Sequence, residues 1–291
     1  MTATALAIAL RPVADQFTFL TTTKVHSTLF PYPWASTLHA ARISLMYQGN
    51  MKKAGQEKAI GWKAYLVGYL VMSWGGMLIS HFLLNLPPPP LYSIHPYINY
   101  LGVHLLLTLA VSSYPTILSP QNLPIYDLVL FPLDAVLRVN AITSSLTVLS
   151  SNVSVNPVLV NSPLFHLIIG AVASAGGGVS AGTFSLWTSQ WAFSTPVFLR
   201  STAGWIATLD LWGGSVVALV YGLSTSHPAF ESLRLSFTVI PPLSPLGAKA
   251  LCTIVLGGLF GYRVVTAIPA SAPQKVEGLK EDRDKGKAKT Q

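Results

Sequence analysis

Residues 173–187 have the sequence ASAGGGVSAGTFSLW, with three consecutive glycines, a fourth at Gly182 and no charge. Glycine at this density is typical of loops that wrap phosphate groups. Such loops follow a strand and carry a lysine that precedes a serine or threonine. Here there is no lysine, and the stretch continues a long apolar run that begins at Leu164. We therefore predict that it lies within a membrane helix.

The composition of the whole chain favours the same interpretation. Of its 291 residues, 51% are hydrophobic and 10% are charged, whereas a soluble domain carries roughly 25% charged residues. No Asp, Glu, Lys or Arg occurs between Lys63 and Asp127, or between Arg138 and Arg200. A transmembrane helix needs about 20 mostly apolar residues, so each charge-free stretch has room for two spans and a loop. The sequence predicts an all-α polytopic membrane protein.

Several function classes are disfavoured by the same counts. The net charge is +8, but the basic residues collect near residues 52–63 and in the C-terminal tail, without the interleaved aromatics of a nucleic-acid site. The single cysteine, Cys252, excludes an intramolecular disulfide and a cysteine-based metal cluster. No metal-ligand spacing and no pair of nucleophile and base is recognisable, so we expect neither an enzyme nor a metal site.

Apolar runs and the prolines that flank them predict seven transmembrane helices. These cover residues 34–48, 62–86, 97–118, 125–149, 164–187, 203–223 and 246–268. Lysine and arginine concentrate in the segments that share a side with the C-terminus, which predicts a cytosolic C-terminus. The expected organisation is an ordered or partly helical N-terminal segment 1–29 on the opposite side, a seven-helix channel domain 30–270, and a charged disordered cytosolic tail 271–291.

An internal repeat relates the second and fifth spans. The ten residues from Gly75 to Leu84 align without a gap with those from Gly177 to Leu186, and both glycines, the phenylalanine and the last leucine coincide. A repeat unit of three spans inserts with opposite orientations, so we predict two inverted three-helix repeats, about 30–120 and 124–224, and a last helix 246–268.

Two explanations of the mid-span glycines stay open. Glycine pairs invite kinks, and non-helical backbone is tolerated at this depth only where it faces protein or water. On that hypothesis the glycines break the two helices and free carbonyls for a pore, with nearby hydroxyls contributing oxygens. The candidate helix-break residues are Gly75, Gly76, Gly176, Gly177 and Gly178, and the candidate pore-lining residues are Ser73, Ser80, Ser174, Ser180, Thr183 and Ser185. The alternative is close helix packing through small residues.

Ionisable residues within spans are costly and tend to be functional. Asp134 and Arg138 are four residues apart in the fourth span, which predicts an ion pair on one face, either a gate or a pair that only neutralises itself. Asp127 lies on roughly the same face, and Asp210 is expected in the middle of the sixth span. His39 and Arg42 share a face of the first span.

The order of these features resembles the trimeric intracellular cation channel family. The resemblance is carried by Phe30-Pro31 before the first span, by WGGMLISHFLLNLP at residues 74–87, by AGGGV at 175–179, and by the basic tail. In animal members of that family, the fourth helix carries Lys-Glu-Val and then a basic residue that contacts phosphoinositide lipid. Arg138 matches the basic residue, but Asp134 stands where the lysine would be, which argues against phosphoinositide as a ligand.

What the resemblance implies is a homotrimer with one pore in each subunit. It would conduct monovalent cations, chiefly K⁺, across the endoplasmic reticulum or nuclear envelope membrane, and so offset the charge moved by calcium release and uptake. Two further hypotheses stay open: a secondary transporter of a small solute built on inverted repeats, and a non-conducting membrane scaffold held together by small-residue contacts.

Overall fold

The computed structural model describes residues 3–236 and 241–271, so the predicted tail lies outside the described residues except for Ser271. Within these ranges the chain is all-helical, and the only β-type pairing is an isolated bridge between Lys24 and Pro33. The ten α-helices of these ranges are α1 (Ala3–Thr22), α2 (Trp34–Lys53), α3 (Trp62–Leu83), α4 (His95–Ser113), α5 (Asn122–Ser151), α6 (Pro157–Val160), α7 (Pro163–Thr183), α8 (Leu209–Ser224), α9 (Glu231–Ser236) and α10 (Pro245–Ser271).

The described helices include three that are long and apolar enough to cross a membrane, namely Trp62–Leu83, Pro163–Thr183 and Pro245–Ala267. A further apolar helix, α8, has 16 residues and is shorter than a full span. The all-α prediction is confirmed, and these helices are of the kind that membrane proteins use. The number of seven spans stays a prediction.

Several helix ends differ from the predicted spans because non-glycine residues stop the helices. Asn85, Ser185 and Ser226 have φ of 56°, 52° and 54°, the left-handed conformation that ends a helix. In each case the N–H of the following residue donates to the carbonyl five residues before it. These hydrogen bonds run from Leu86 to His81, from Leu186 to Ala181, and from His227 to Gly222. The fifth predicted span therefore ends at Thr183 rather than at Trp187. The sixth begins at Leu209 rather than at Ala203, and it ends at Ser224, one residue from the predicted end.

The glycines of α3 and α7 form a direct contact between two helix backbones. A Cβ built on Gly176 would lie 2.7 Å from the Cα of Gly76, and one built on Gly75 would lie 2.9 Å from the Cα of Gly177. Both helices continue unbroken through these residues. The predicted helix break at Gly75, Gly76, Gly176, Gly177 and Gly178 is therefore wrong. The missing side chains of the first four glycines allow the close approach, whereas Gly178 has open space beside it.

The two helices run antiparallel at this contact. Gly68, early in α3, lies beside the carbonyl of Leu186 just after α7, whereas Gly76, later in α3, lies beside Val172 and Ala173. Inverted copies of one unit place their equivalent helices in this relative direction. The contact is what the predicted inverted repeat requires, and the repeat itself stays a prediction.

The surroundings of α3 and α7 differ strongly. On α7, Gly170 packs against the backbone of Gly214 in α8, so this pair also approaches without intervening side chains. Between α3 and α4, by contrast, aromatic rings fill the gap: Tyr69 stacks on His104 with ring centroids 3.8 Å apart, and Trp74 meets Tyr97 edge-on at 4.9 Å. One half of the bundle is thus packed backbone to backbone, and the other is spaced by rings.

The glycine contact predicts opposite effects for two neighbouring substitutions. Gly176→Ala places a methyl group against Gly76, and overpacking of this kind costs about 1–3 kcal/mol. Gly178→Ala meets no atom within 4 Å, and replacing a helical glycine gains about 0.5–1 kcal/mol. Thermal unfolding in detergent, followed by dye labelling of the buried Cys252 thiol, should show a lower midpoint only for Gly176→Ala. Equal midpoints for the two variants would contradict the contact.

Candidate functional site

A cavity of about 1230 Å³ lies inside the bundle, walled by α2, α3, α5, α7, α8 and α10. Its lining runs along α2 from Ala35 to Lys53 and along α5 from Leu123 to Ala141. At a rise of 1.5 Å per residue, each of these stretches is about 27 Å long. This length approaches the thickness of a bilayer's hydrocarbon core, about 30 Å. The cavity therefore has the length that a path for a solute or an ion would need.

The first cluster of charges in the cavity is centred on Arg42 of α2. Its Nε donates to both carboxylate oxygens of Asp134 at 3.0 and 3.1 Å, and its Nη2 lies 2.6 Å from Asp127. The side chains of Arg42 and Asp134 are only 11% and 16% exposed. Asp127 and Asp134 are seven residues apart, so both project from one face of α5 toward α2. Arg42 therefore ties the first predicted repeat to the second.

The second cluster is centred on Asp210. One carboxylate oxygen lies 3.2 Å from Nη2 of Arg138 on α5 and 3.0 Å from Nη1 of Arg263 on α10. The two guanidinium groups also lie over the ring of Phe260, 5.3 and 4.7 Å from its centroid. Asp210 is the second residue of α8, where the helix dipole favours a negative charge. The sequence-based expectation that Asp210 lies in mid-span is wrong, because α8 begins only one residue before it.

Arg138 also binds the backbone of the glycine-rich helix. Its Nη1 donates to the carbonyl oxygen of Ser174 at 2.5 Å and lies 3.4 Å from the hydroxyl of the same residue. A carbonyl inside a helix normally accepts only from the N–H four residues later, and here that residue is Gly178, which faces the cavity. A cationic group thus occupies an oxygen site on the cavity wall.

The predicted ion pair between Asp134 and Arg138 is wrong. They share a face of α5, but Asp134 pairs with Arg42 on α2, and Arg138 pairs with Asp210 on α8. Arg42 satisfies both oxygens of Asp134 at once from the neighbouring helix α2. Asp134 and Arg138 thus belong to two separate clusters.

The cavity lining includes some of the predicted pore residues and omits others. Ser73, Ser174, Gly76, Gly177 and Gly178 line it. The lining omits Gly75, Gly176, Ser80, Ser180, Thr183 and Ser185. Gly75 and Gly176 lie in the contact between α3 and α7, and Ser80 and Thr183 are buried in the protein. For the candidates on α3 and α7, the side of the helix on which a residue lies therefore decides whether it lines the cavity.

Arg263 is a member of the site that sequence reasoning missed. The predicted last span, 246–268, contains Arg263, but this residue was not among the candidate site residues. In the structure Arg263 lies on α10, and its Nη1 is 3.0 Å from a carboxylate oxygen of Asp210. The available signal was an arginine within an otherwise apolar helical stretch, which is costly unless a partner lies nearby.

The balance of charge changes along the cavity. The lining carries six basic side chains and three acidic ones. The three acidic side chains, Asp127, Asp134 and Asp210, are all held by Arg42, Arg138 and Arg263. The remaining basic groups are Lys52, Lys53 and Arg200, at the end of the cavity where α2 finishes. The interior is therefore balanced, and the excess positive charge lies at one mouth.

The separation into two clusters can be measured as coupling energies. In a double-mutant cycle, Arg42→Gln and Asp134→Asn should couple by about 0.5–3 kcal/mol, the range for groups in one ion-pair network. Arg138→Gln and Asp134→Asn share no direct contact and should couple more weakly. Unfolding free energies of the purified variants in detergent provide both values. A stronger coupling for Asp134 with Arg138 than with Arg42 would contradict the arrangement.

Comparisons with known proteins add nothing to this geometry. No protein-family model, curated protein or solved structure matches the chain. Function is therefore inferred from the cavity and its charges.

Proposed function

We propose that the chain is a channel for monovalent cations, chiefly K⁺, in an intracellular membrane, and that its path is closed in this structure. The observation that carries the proposal is the cavity, nearly as long as a bilayer's hydrocarbon core is thick, whose interior holds paired arginines and aspartates. Charged side chains within spans face the bundle interior or a watery path, and they mark routes for ions.

Arg138 acts as the gate in this proposal. Its guanidinium is a tethered cation that binds the Ser174 carbonyl, an oxygen that would otherwise face a passing ion. While it stays there, it occupies the site and repels other cations. Asp210 provides a second position for the same charge, 3.2 Å from Nη2 of Arg138. Opening consists of the guanidinium leaving Ser174 while remaining paired with Asp210.

The excess positive charge at the mouth is compatible with cation flow. Lys53 and Arg200 are exposed, and charges in contact with physiological salt are screened over about 8 Å. Deeper in the cavity, each aspartate already forms an ion pair with an arginine. Small movements of the arginines therefore set the sign of the local electrostatic potential. On opening, the group that becomes available to an ion is the Ser174 carbonyl, because Asp210 stays paired with Arg138.

The membrane arrangement belongs to the same proposal. The helices α2, α3, α4, α5, α7, α8 and α10 cross the bilayer in alternating directions, and the C-terminus lies on the cytosolic side together with Lys52 and Lys53. Three copies assemble, each with its own path, in the endoplasmic reticulum or nuclear envelope. Asp134 is bound by Arg42 and replaces a lysine of the resembling family, which argues against a phosphoinositide ligand at this position.

A secondary transporter is the alternative that one observation favours. The helices α7, α8 and α10 line the cavity only near the end that carries Lys53, through residues such as Gly178, Asp210 and Ala267. A cavity wider toward one side is typical of one state of an alternating-access cycle. Saturable uptake into liposomes without unitary currents would favour the transporter over the channel.

Removing the gating charge tests the channel directly. Hydrogen bonds to charged groups contribute about 1.5–3 kcal/mol, so losing the bond to Ser174 in Arg138→Gln should raise the open-to-closed ratio about tenfold or more. Arg200→Gln is the matched control, because Arg200 lines the mouth and donates to Thr195 outside both clusters. Single-channel recording in planar bilayers under a K⁺ gradient measures the open-to-closed ratio of both variants. Absence of any cation-selective unitary current in the unmodified protein would overturn the proposal.

The cavity wall at Gly178 offers a separate test of the path. Gly178→Leu adds a side chain on the open side of α7, where no atom lies within 4 Å, and should lower single-channel conductance several-fold at unchanged thermal stability. Gly177→Leu serves as contrast, because its Cβ meets the Met72 carbonyl and should destabilise the fold. Unchanged conductance in stable Gly178→Leu would place the conducting path elsewhere.

A further inference from the structure

The segment between α7 and α8, residues 184–208, has an unusual composition. It holds three of the chain's seven tryptophans, Trp187, Trp191 and Trp205, together with Phe184, Phe193 and Phe198. Its single charged residue is Arg200. Loops that face water are normally rich in polar and charged side chains, so this composition indicates a different environment.

Many of these large apolar side chains point away from the protein. Phe193 is 76% exposed, Leu199 65% and Trp205 55%, and Phe184 and Trp191 are exposed as well. Aromatic side chains of this kind concentrate at the boundary between membrane and water, where a ring has one apolar and one hydrated side.

The length of α8 places this segment at a definite depth. Its 16 residues rise about 24 Å, less than the roughly 30 Å of a hydrocarbon core. If α8 crosses the bilayer, the residues before it must lie within the boundary region rather than in bulk water. The preceding backbone is irregular but locally satisfied, with Ser194 N–H bonding Thr183 O at 2.7 Å and Ala203 N–H bonding Arg200 O at 3.0 Å. Such backbone is tolerated at the interface and not in the hydrocarbon core.

Trp205 is fixed on the outer surface of the bundle. Its ring lies 6.1 Å from that of Trp212 and 5.6 Å from that of Tyr262, and Trp212 Nε1 donates to the Trp205 carbonyl at 2.8 Å. Tyr262, on α10, is itself 51% exposed. Trp205 thus joins the segment to the surface of α8 and α10 through ring contacts.

We infer that residues 184–208 are a lipid-binding segment that lies flat in the headgroup region of one leaflet, with Phe193, Leu199 and Trp205 inserted between lipids. The partner is the membrane surface, and the absence of any acidic residue in the segment suits a leaflet with anionic lipids. The inference is independent of whether the protein conducts ions. Because Val197, Phe198 and Arg200 also line the cavity, the same segment separates the cavity mouth from the lipid.

The loop between α2 and α3 provides a built-in comparison at the same end of the bundle. It contains Glu57, Lys58 and Ala59, all exposed, and no aromatic residue. A hydrogen bond from Ser189 N–H to Gln56 Oε1 at 3.3 Å ties this loop to the aromatic segment. The loop between α2 and α3 is thus charged and without aromatic residues, whereas the neighbouring segment 184–208 is aromatic and nearly uncharged. Only the charged loop suits bulk water.

The experiment uses spin labels on single introduced cysteines in the full-length protein in liposomes. Phe193→Cys and Leu199→Cys report on the aromatic segment, and Ala59→Cys is the matched control. The native thiol of Cys252 is fully buried, so labels attach to the introduced sites. Collision rates with oxygen, which partitions into lipid, and with a water-soluble nickel chelate are measured at each site.

Labels at residues 193 and 199 should collide with oxygen in preference to nickel, with a ratio several-fold above that at residue 59 and depths of about 5–10 Å below the headgroup surface. Nickel accessibility equal to that of Ala59→Cys would overturn the inference and make the segment a water-facing loop. Spin–spin broadening at residue 193 that disappears on dilution with unlabelled protein would overturn it in favour of contact with a second copy of the chain.

Discussion

Inside this apolar bundle, the charged side chains of the two clusters are paired with opposite charges on other helices, and these pairs determine how the helices are arranged. An arginine or aspartate that loses its partner in such a place costs several kcal/mol, so each must find an opposite charge on another helix. Arg42 and Asp210 each bind two partners. Through them α2, α5, α8 and α10 are held in one arrangement, and the cavity is the space that these paired groups keep open.

The contact between the glycines of α3 and α7 has the opposite effect to the paired charges. Where the charges hold helices apart around a cavity, Gly75, Gly76, Gly176 and Gly177 bring α3 and α7 together until their backbones touch. Arg138 joins the two features, because it binds both Asp210 and the Ser174 carbonyl near those glycines. A change in the charge network is therefore transmitted directly to the helix that carries the closest packing.

The sequence predicts the fold class and the existence of most helices, because charge-free apolar runs and flanking prolines act locally. It also selects Asp134, Arg138, Asp210 and Arg42, since charges in apolar surroundings are conspicuous. It fails where the outcome depends on distant residues. Whether a glycine pair kinks a helix or admits a neighbour depends on what lies opposite, and the partner of Asp134 is set by the position of α2. The end of α7 was missed because left-handed serine, here Ser185, is a weak signal beside glycine.

The crossing of α3 and α7 also has a mechanical consequence. At that point two helices touch backbone to backbone, with only small side chains such as Ser180 beside the contact. The contact lies well inside both helices, so a change in their crossing angle would pivot there. At 1.5 Å per residue, ten residues beyond it make a lever of about 15 Å, and a rotation of about 10° displaces its end by about 3 Å. Widening at one face of the membrane would then accompany narrowing at the other.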